Sequence, residues 1–146
     1  MNVAVGSDER TPLTDALVAE LAPRGHTVQL VGPLAGGTQE WAEVGREVGA
    51  LVASGACATG IVCCWTGTGV SIAANKVPGV RAALCGDAET AAGARRWNDA
   101  NVLALSLRLV TPQLAREMLD AWFATGPDPA EAANVARLEA GEGRRS

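Results

Sequence analysis

The chain has 146 residues, of which 48% are hydrophobic, and a formal net charge of -4. That length and apolar share are enough for one continuous core, so a single domain over residues 1–146 is expected. Lys and Arg are scattered through a net acidic chain and no apolar run approaches a membrane span; nucleic-acid and membrane partners are therefore not expected, and a cytoplasmic location is.

The run Val3-Ala4-Val5 marks a first strand over 2–6, followed by helical periodicity over 13–21. The pattern then alternates: strand 27–31, helix 40–53, strand 60–64, helix 70–74, strand 81–85, helix 88–96, strand 102–105, helix 112–125. Thr111-Pro112 reads as an N-cap and a first-turn proline. Beyond the turn cluster Gly126-Pro127-Asp128-Pro129, residues 130–140 are helix-forming and 141–146 read as a frayed tail. Such a last helix is expected to pack on a neighbouring subunit. Short continuous strands that each feed a helix specify the α/β class, with a five-stranded parallel sheet covered on both faces.

In open parallel sheets, ligands bind where strands end and helices begin. Three segments carry chemistry suited to such a place. Gly6-Ser7-Asp8-Glu9 closes the first strand with two carboxylates. Cys63-Cys64-Trp65-Thr66-Gly67-Thr68-Gly69-Val70-Ser71 runs from a strand through a glycine-rich turn into a helix. Trp97-Asn98-Asp99-Ala100-Asn101 lies just before the fifth strand.

Glycines let backbone N–H groups converge on an anion at the positive end of a helix, and the same residues also make an ordinary tight turn. The turn is neither a full GxGxxG, since Ile72 holds the third glycine position, nor a P-loop. Cys63 and Cys64 are adjacent on a strand and point to opposite faces, so only one serves a site. Cys64, nearest the turn, is the candidate: a thiol beside converging amides is suited to act as base or nucleophile, against the plain reading of a small core residue. Cys57 and Cys85 are read as core residues, and with no CxxC spacing a zinc site lacks ligands. Asp8 either binds a hydroxyl and moves protons or caps the next helix. Asn98-Asp99 is either turn chemistry or an amide that stabilises developing charge. His26 reads as an exposed edge residue without a role.

Taken together, Gly6-Ser7-Asp8, Gly67-Thr68-Gly69-Val70-Ser71-Ile72-Ala73-Ala74-Asn75-Lys76, Gly79-Val80-Arg81-Ala82-Ala83-Leu84-Cys85 and Asn98-Asp99-Ala100-Asn101-Val102-Leu103 resemble the ribose-5-phosphate isomerase B and galactose-6-phosphate isomerase family. The resemblance spans residues 2–122. It implies a Rossmann-like three-layer domain, a homodimer or dimer of dimers with the site shared across the interface, and aldose–ketose isomerisation of a sugar phosphate through an enediolate without a cofactor or metal. Under it, Cys64 matches the proton-shuttling cysteine. Trp65, Thr66, Gly67, Thr68, Gly69, Val70 and Ser71 match the turn whose amides hold the enediolate oxygen. Asp8 matches the residue that binds sugar hydroxyls, and Asn98 the side chain completing the anion hole.

Departures from the family pattern fall together on substrate-facing positions. Glu9 stands where the family has a histidine, and a carboxylate there repels a phosphate. Trp97 replaces the histidine assigned to opening the sugar ring, which leaves that step without its usual residue. Arg137 matches the second of two phosphate-binding arginines, while the first falls at Ala133. Trp41 stands near an expected tyrosine, and Trp65 replaces a glycine in the turn. Losing two charge-assisted contacts, each worth about 1.5 to 3 kcal/mol, weakens phosphate-dependent binding by orders of magnitude unless Arg10, Arg95 or Arg96 compensates. The alternatives are an isomerase or epimerase of an unphosphorylated or modified sugar, or a non-catalytic sugar-binding module.

Overall fold

The computed structural model describes residues 1–142. Five parallel strands form one sheet in the order β2-β1-β3-β5-β4: β1 (Asn2–Ser7), β2 (Thr27–Val31), β3 (Thr59–Cys64), β4 (Ala82–Leu84) and β5 (Val102–Ser106). The helices are α1 (Pro12–Ala19), α2 (Trp41–Ala53), α3 (Thr68–Asn75), α4 (Ala88–Asn98), α5 (Pro112–Ala124) and α6 (Ala132–Glu142), with 3-10 turns at Ala22–Arg24, Gly32–Ala35 and Pro129–Glu131.

Alternation along the strands divides the core into two halves, as the period of a strand requires. Val3, Val5, Ile61, Cys63, Leu103 and Leu105 face Leu17, Leu21, Ala91, Met118 and Leu119, under α1, α4 and α5. Ala4, Val62, Cys64, Val102 and Ala104 face Val44, Val48, Val52, Val70 and Ala74, under α2 and α3. This is the three-layer α/β arrangement expected from the sequence. The central strand β3 is buried at every position. The two helices on the second face approach closely because Gly45 has no side chain: a Cβ there would lie 2.7 Å from that of Ala73.

Local chemistry explains the boundaries. Thr11 caps α1, its hydroxyl accepting from the Thr14 amide at 3.1 Å, and Pro12 fills the first turn. Asp8 is therefore released from the capping role. Thr111 caps α5 in the same way, accepting from the Leu114 amide at 3.1 Å. Buried Trp122 satisfies its indole by donating to Thr59 Oγ1 at 3.0 Å, and the Arg95 guanidinium lies 5.5 Å from its ring centre.

Three expectations are corrected. The last helix extends through Gly141 and Glu142, because the Glu142 carboxylate accepts from the Gly79 amide at 3.0 and 3.1 Å; residues 143–146 of the expected tail lie outside the described residues. His26 is half-buried rather than exposed, its ring stacked on Phe123 with centroids 4.1 Å apart. Finally, α4 runs two residues further than its apolar period, so Trp97 and Asn98 are helical.

Candidate active site

Ser7 and Cys63 are register partners in the β1–β3 ladder. The next residues, Asp8 just past β1 and Cys64 at the end of β3, therefore come side by side at the carboxyl edge, with Cys64 on the α2–α3 side of the sheet. The Ser7 hydroxyl donates to the Glu9 carbonyl at 2.6 Å and accepts from its amide at 3.2 Å, which fixes the turn carrying Asp8. Burial raises the Asp8 carboxyl above its ordinary range, Glu9 and Glu40 add to the rise, and a hydrogen bond from its own backbone amide opposes it.

The two adjacent cysteines have separate fates. Burial pushes the Cys63 thiol up to about 12, with Cys64 and Asp8 acting in the same direction. Cys64 sits at the strand terminus, 6% exposed, against 0% for Cys63. Cys85 is likewise pushed up, to about 11, and Cys57 is raised, both by burial. Cys64 is the one cysteine that ends a strand at the glycine-rich turn.

That turn is pinned from the β5 side. The Cys64 carbonyl accepts from the Leu107 amide at 3.0 Å, and the Trp65 carbonyl accepts from Ser106 Oγ at 3.0 Å and from the Arg108 amide at 3.1 Å. Gly67 takes the left-handed N-cap position of α3 (φ 77°), and a Cβ there would lie 2.6 Å from Leu84 Cδ1 and 2.8 Å from the Leu105 carbonyl carbon. Since α3 begins at Thr68, the amides of Thr68, Gly69 and Val70 lie in its first turn, without helical partners. Ser71 already donates its amide to the Gly67 carbonyl at 3.3 Å, and the Thr66 and Thr68 hydroxyls bond each other at 2.8 Å. An oxyanion held here meets free amides and the positive end of a helix.

Trp41 opens α2 and lays its ring over Gly69, where a Cβ would fall 2.7 Å from Trp41 Cε3. Trp41 is 47% exposed and Trp65 61%, so flat apolar surface flanks the turn. Sequence reasoning missed Arg108. It lies two residues beyond β5, its amide bonds the turn through Trp65, and its guanidinium makes no ion pair among the described residues. The signal available was its place just past a strand's carboxyl end.

The third segment is not at this end of the sheet, which corrects its grouping with the other two. The Asn101 carbonyl accepts from the Gly60 amide at 3.0 Å, at the amino end of β3, and Asn98 lies three residues before it. About 13 Å of strand, at roughly 3.3 Å per residue, separates that edge from Cys64. Trp97 folds its ring over Gly93 of its own helix. Arg137 is exposed on α6, donating to Asn134 Oδ1 at 2.6 Å, and Ala133 lies on the same helix. Within one chain, Asp8, Glu9, Cys64 and the turn converge; Trp97, Asn98 and Arg137 do not join them. The cations offered as compensation are occupied or distant: Arg10 pairs with Asp15 at 2.9 Å, Arg95 pairs with Asp99 at 3.2 Å, and Arg96 lies beside Trp97 at the amino edge.

The family described as Ribose/Galactose Isomerase matches residues 3–140. The chain belongs to the ribose/galactose isomerase family. Its backbone superposes on the structure of ribose-5-phosphate isomerase B of Clostridium thermocellum with a TM-score of 0.92 at 37% identity, covering 100% of both chains. A D-erythrulose-4-phosphate isomerase of Pectobacterium atrosepticum is 35% identical over 125 residues, covering 84% of this chain and 82% of that protein. The DNA damage-repair/toleration protein DRT102 of Arabidopsis thaliana is 40% identical over 126 residues, and the match spans 86% of this chain but only 40% of that longer protein. Membership places the chain in the isomerase class of enzymes. No helix among the described residues is long and apolar enough to cross a membrane.

Proposed function

We propose that the chain is an aldose–ketose isomerase acting on a pentose phosphate of the ribose 5-phosphate/ribulose 5-phosphate type or a related short sugar phosphate. The observation that carries this reading is the juxtaposition of Asp8 and Cys64 at the mouth of a turn that ends in free helix-terminal amides. With the open-chain aldose bound, the Cys64 thiolate takes the proton from C2, and the electron pair moves to the carbonyl oxygen to give the enediolate. The turn amides hold that oxygen. Cys64 then returns the proton to C1 while the hydroxyl proton passes from O2 to O1, leaving the ketose. Asp8 binds the sugar hydroxyls.

Asn98 and Arg137 enter this scheme from a second copy. A homodimer, or a dimer of dimers, lets the amino-edge residues of one chain complete the carboxyl-edge site of the other, which the separation of about 13 Å within one chain otherwise forbids. Exposed Trp41, Trp65, Ile72 and Leu84 supply apolar area for such a contact. Four free cysteines suit a reducing, cytoplasmic setting.

A second reading concerns the substrate. Burial chiefly, and then Glu9 and Glu40 nearby, raise the Asp8 carboxyl, and this acidic side of the mouth disfavours a phosphate dianion. It favours either a phosphate held wholly on the opposite side of the turn or an unphosphorylated sugar stacked on the tryptophans.

Proton NMR in heavy water tests both readings with ribose 5-phosphate, D-erythrulose 4-phosphate and ribose, each beside Cys64→Ala. Interconversion with deuterium at the carbon next to the carbonyl, abolished in Cys64→Ala, is expected for one of the phosphates. Conversion of ribose alone supports the second reading. Full activity of Cys64→Ala removes the cysteine base, and no exchange with any of them favours a binding module.

A further inference from the structure

Among the described residues, Asp99 is the only non-glycine with a positive φ (46°, with ψ 43°), and it directly follows Asn98. Asp adopts this left-handed conformation at a cost that glycine does not pay, so the side chain is kept at this C-cap for a reason other than backbone freedom.

Its contacts supply the reason. Arg81 donates from Nε to the Asp99 carbonyl at 2.7 Å, and its Nη2 lies 3.4 Å from Asp99 Oδ2. Arg95 reaches Asp99 Oδ1 at 3.2 Å. The Arg81 backbone amide donates to Asn101 Oδ1 at 2.7 Å, which fixes the strand side of the same reversal. The remaining Arg81 nitrogen, Nη1, pairs with Glu139 of α6. One guanidinium thus braces the reversal behind Asn98 and the helix that bears Arg137, the two groups that the proposed function needs at a second copy's site. The Asn98 side chain is exposed and makes no hydrogen bond among the described residues, so within its own chain the backbone sets its direction.

We propose that Asp99 and Arg81 are positioning residues for Asn98: their ion pair locks the left-handed turn that aims the Asn98 amide out of its own chain and into the site of another. The inference rests on the proposed role of Asn98 and adds a device that neither the motif nor the family match assigns. Arg81 serves two ends, so the same pair also ties the attitude of α6 to that of Asn98.

The test is a double-variant cycle on the full chain with the substrate interconverted above, together with an activity-independent readout. Asn98→Ala is expected to lose about 10²-fold in kcat. Asp99→Asn, which tolerates the left-handed turn but drops the charge, is expected to lose about tenfold in kcat with KM little changed. Added to Asn98→Ala, Asp99→Asn is expected to cost nothing further, because its effect passes through the missing amide. Arg81→Lys is expected to lose at least as much as Asp99→Asn, since it also disturbs the pair with Glu139 of α6. Losses that multiply in the double variant overturn the positioning role while leaving Asn98 in place. Full activity of Asn98→Ala overturns the role of Asn98 and this inference with it. Independently of turnover, the side-chain amide signals of Asn98 in a nitrogen–proton NMR spectrum are expected to shift in Asp99→Gly, which folds without strain. Unchanged Asn98 signals there overturn the inference.

Discussion

Ser7 of β1 and Cys63 of β3 are register partners; Asp8 follows the first just past its strand, and Cys64 follows the second as the last residue of β3. One ladder position therefore separates a thiol sealed in the core from one that opens on the turn, although the two are covalent neighbours.

Thiol labelling follows from this contrast. Burial holds Cys63 near 12 and Cys85 near 11, so neither forms thiolate at neutral pH, and Cys57 is raised as well. Iodoacetamide at pH 7.5 is expected to modify Cys64 first, as read by peptide mass spectrometry, with loss of activity tracking that one adduct. First labelling at Cys57 or Cys85 contradicts the assignment.

Gly67→Ala and Gly55→Ala separate backbone strain from steric fit. Both glycines have a left-handed φ, 77° and 81°, but a Cβ at Gly55 meets open space while one at Gly67 meets Leu84 and the Leu105 backbone below 3 Å. Each substitution costs about 1–2 kcal/mol for the backbone. Gly67→Ala must also displace the turn, so it is expected to unfold at a clearly lower temperature than Gly55→Ala and to abolish turnover. Equal melting temperatures would mean the turn yields freely.

Trp122→Phe removes the donor to Thr59 and weakens the surface beneath Arg95. A loss of about 1 kcal/mol is expected in a urea titration, since one buried hydrogen bond is removed while the Thr59 hydroxyl keeps its bond to the Asn101 carbonyl at 2.9 Å. Thr59→Val in the same background is expected to cost a further increment, because it also removes the bond that the Thr59 hydroxyl donates to the Asn101 carbonyl.

The pH dependence of Asp8 has a definite sign. Its folded pKa lies above the ordinary 3.8, chiefly through burial and then through Glu9 and Glu40. The folded state holds the proton more tightly, so the contribution is full below 3.8 and is lost as pH rises through the raised value. Asp8→Asn is accordingly expected to raise the urea midpoint at pH 7, with the advantage vanishing at pH 3.5, and to lower kcat/KM. A lower midpoint at pH 7 would show that Asp8 is a stabilising charge instead.

Much of this was legible in the chain. Runs such as Val3-Ala4-Val5 and the glycine-rich segment are local signals, and the strand-then-helix alternation fixes a parallel sheet. The ends were harder. β4 shrinks to Ala82–Leu84 because the Arg81 amide is taken by Asn101 rather than by the ladder. α4 outruns its apolar period because Asp99 caps it through charge contacts with Arg81 and Arg95, residues 18 and 4 positions away. The misplaced third segment reflects the same blindness: Trp97-Asn98 precedes a strand, and what precedes a parallel strand lies at the sheet's other edge. His26 gave no hint of Phe123, since stacking between residues so far apart in sequence leaves no local pattern.

α6 has no buried residue among those described, and its ties to the sheet run through Glu139 to Arg81 and Glu142 to Gly79. An element held by charge instead of by oil opens on its own, well below the threshold for global unfolding. In a lone chain its amides should exchange with solvent early, and salt, which leaves the core untouched, should hasten that exchange. The helix bearing Arg137 is thus attached to the rest of the described chain chiefly through charge.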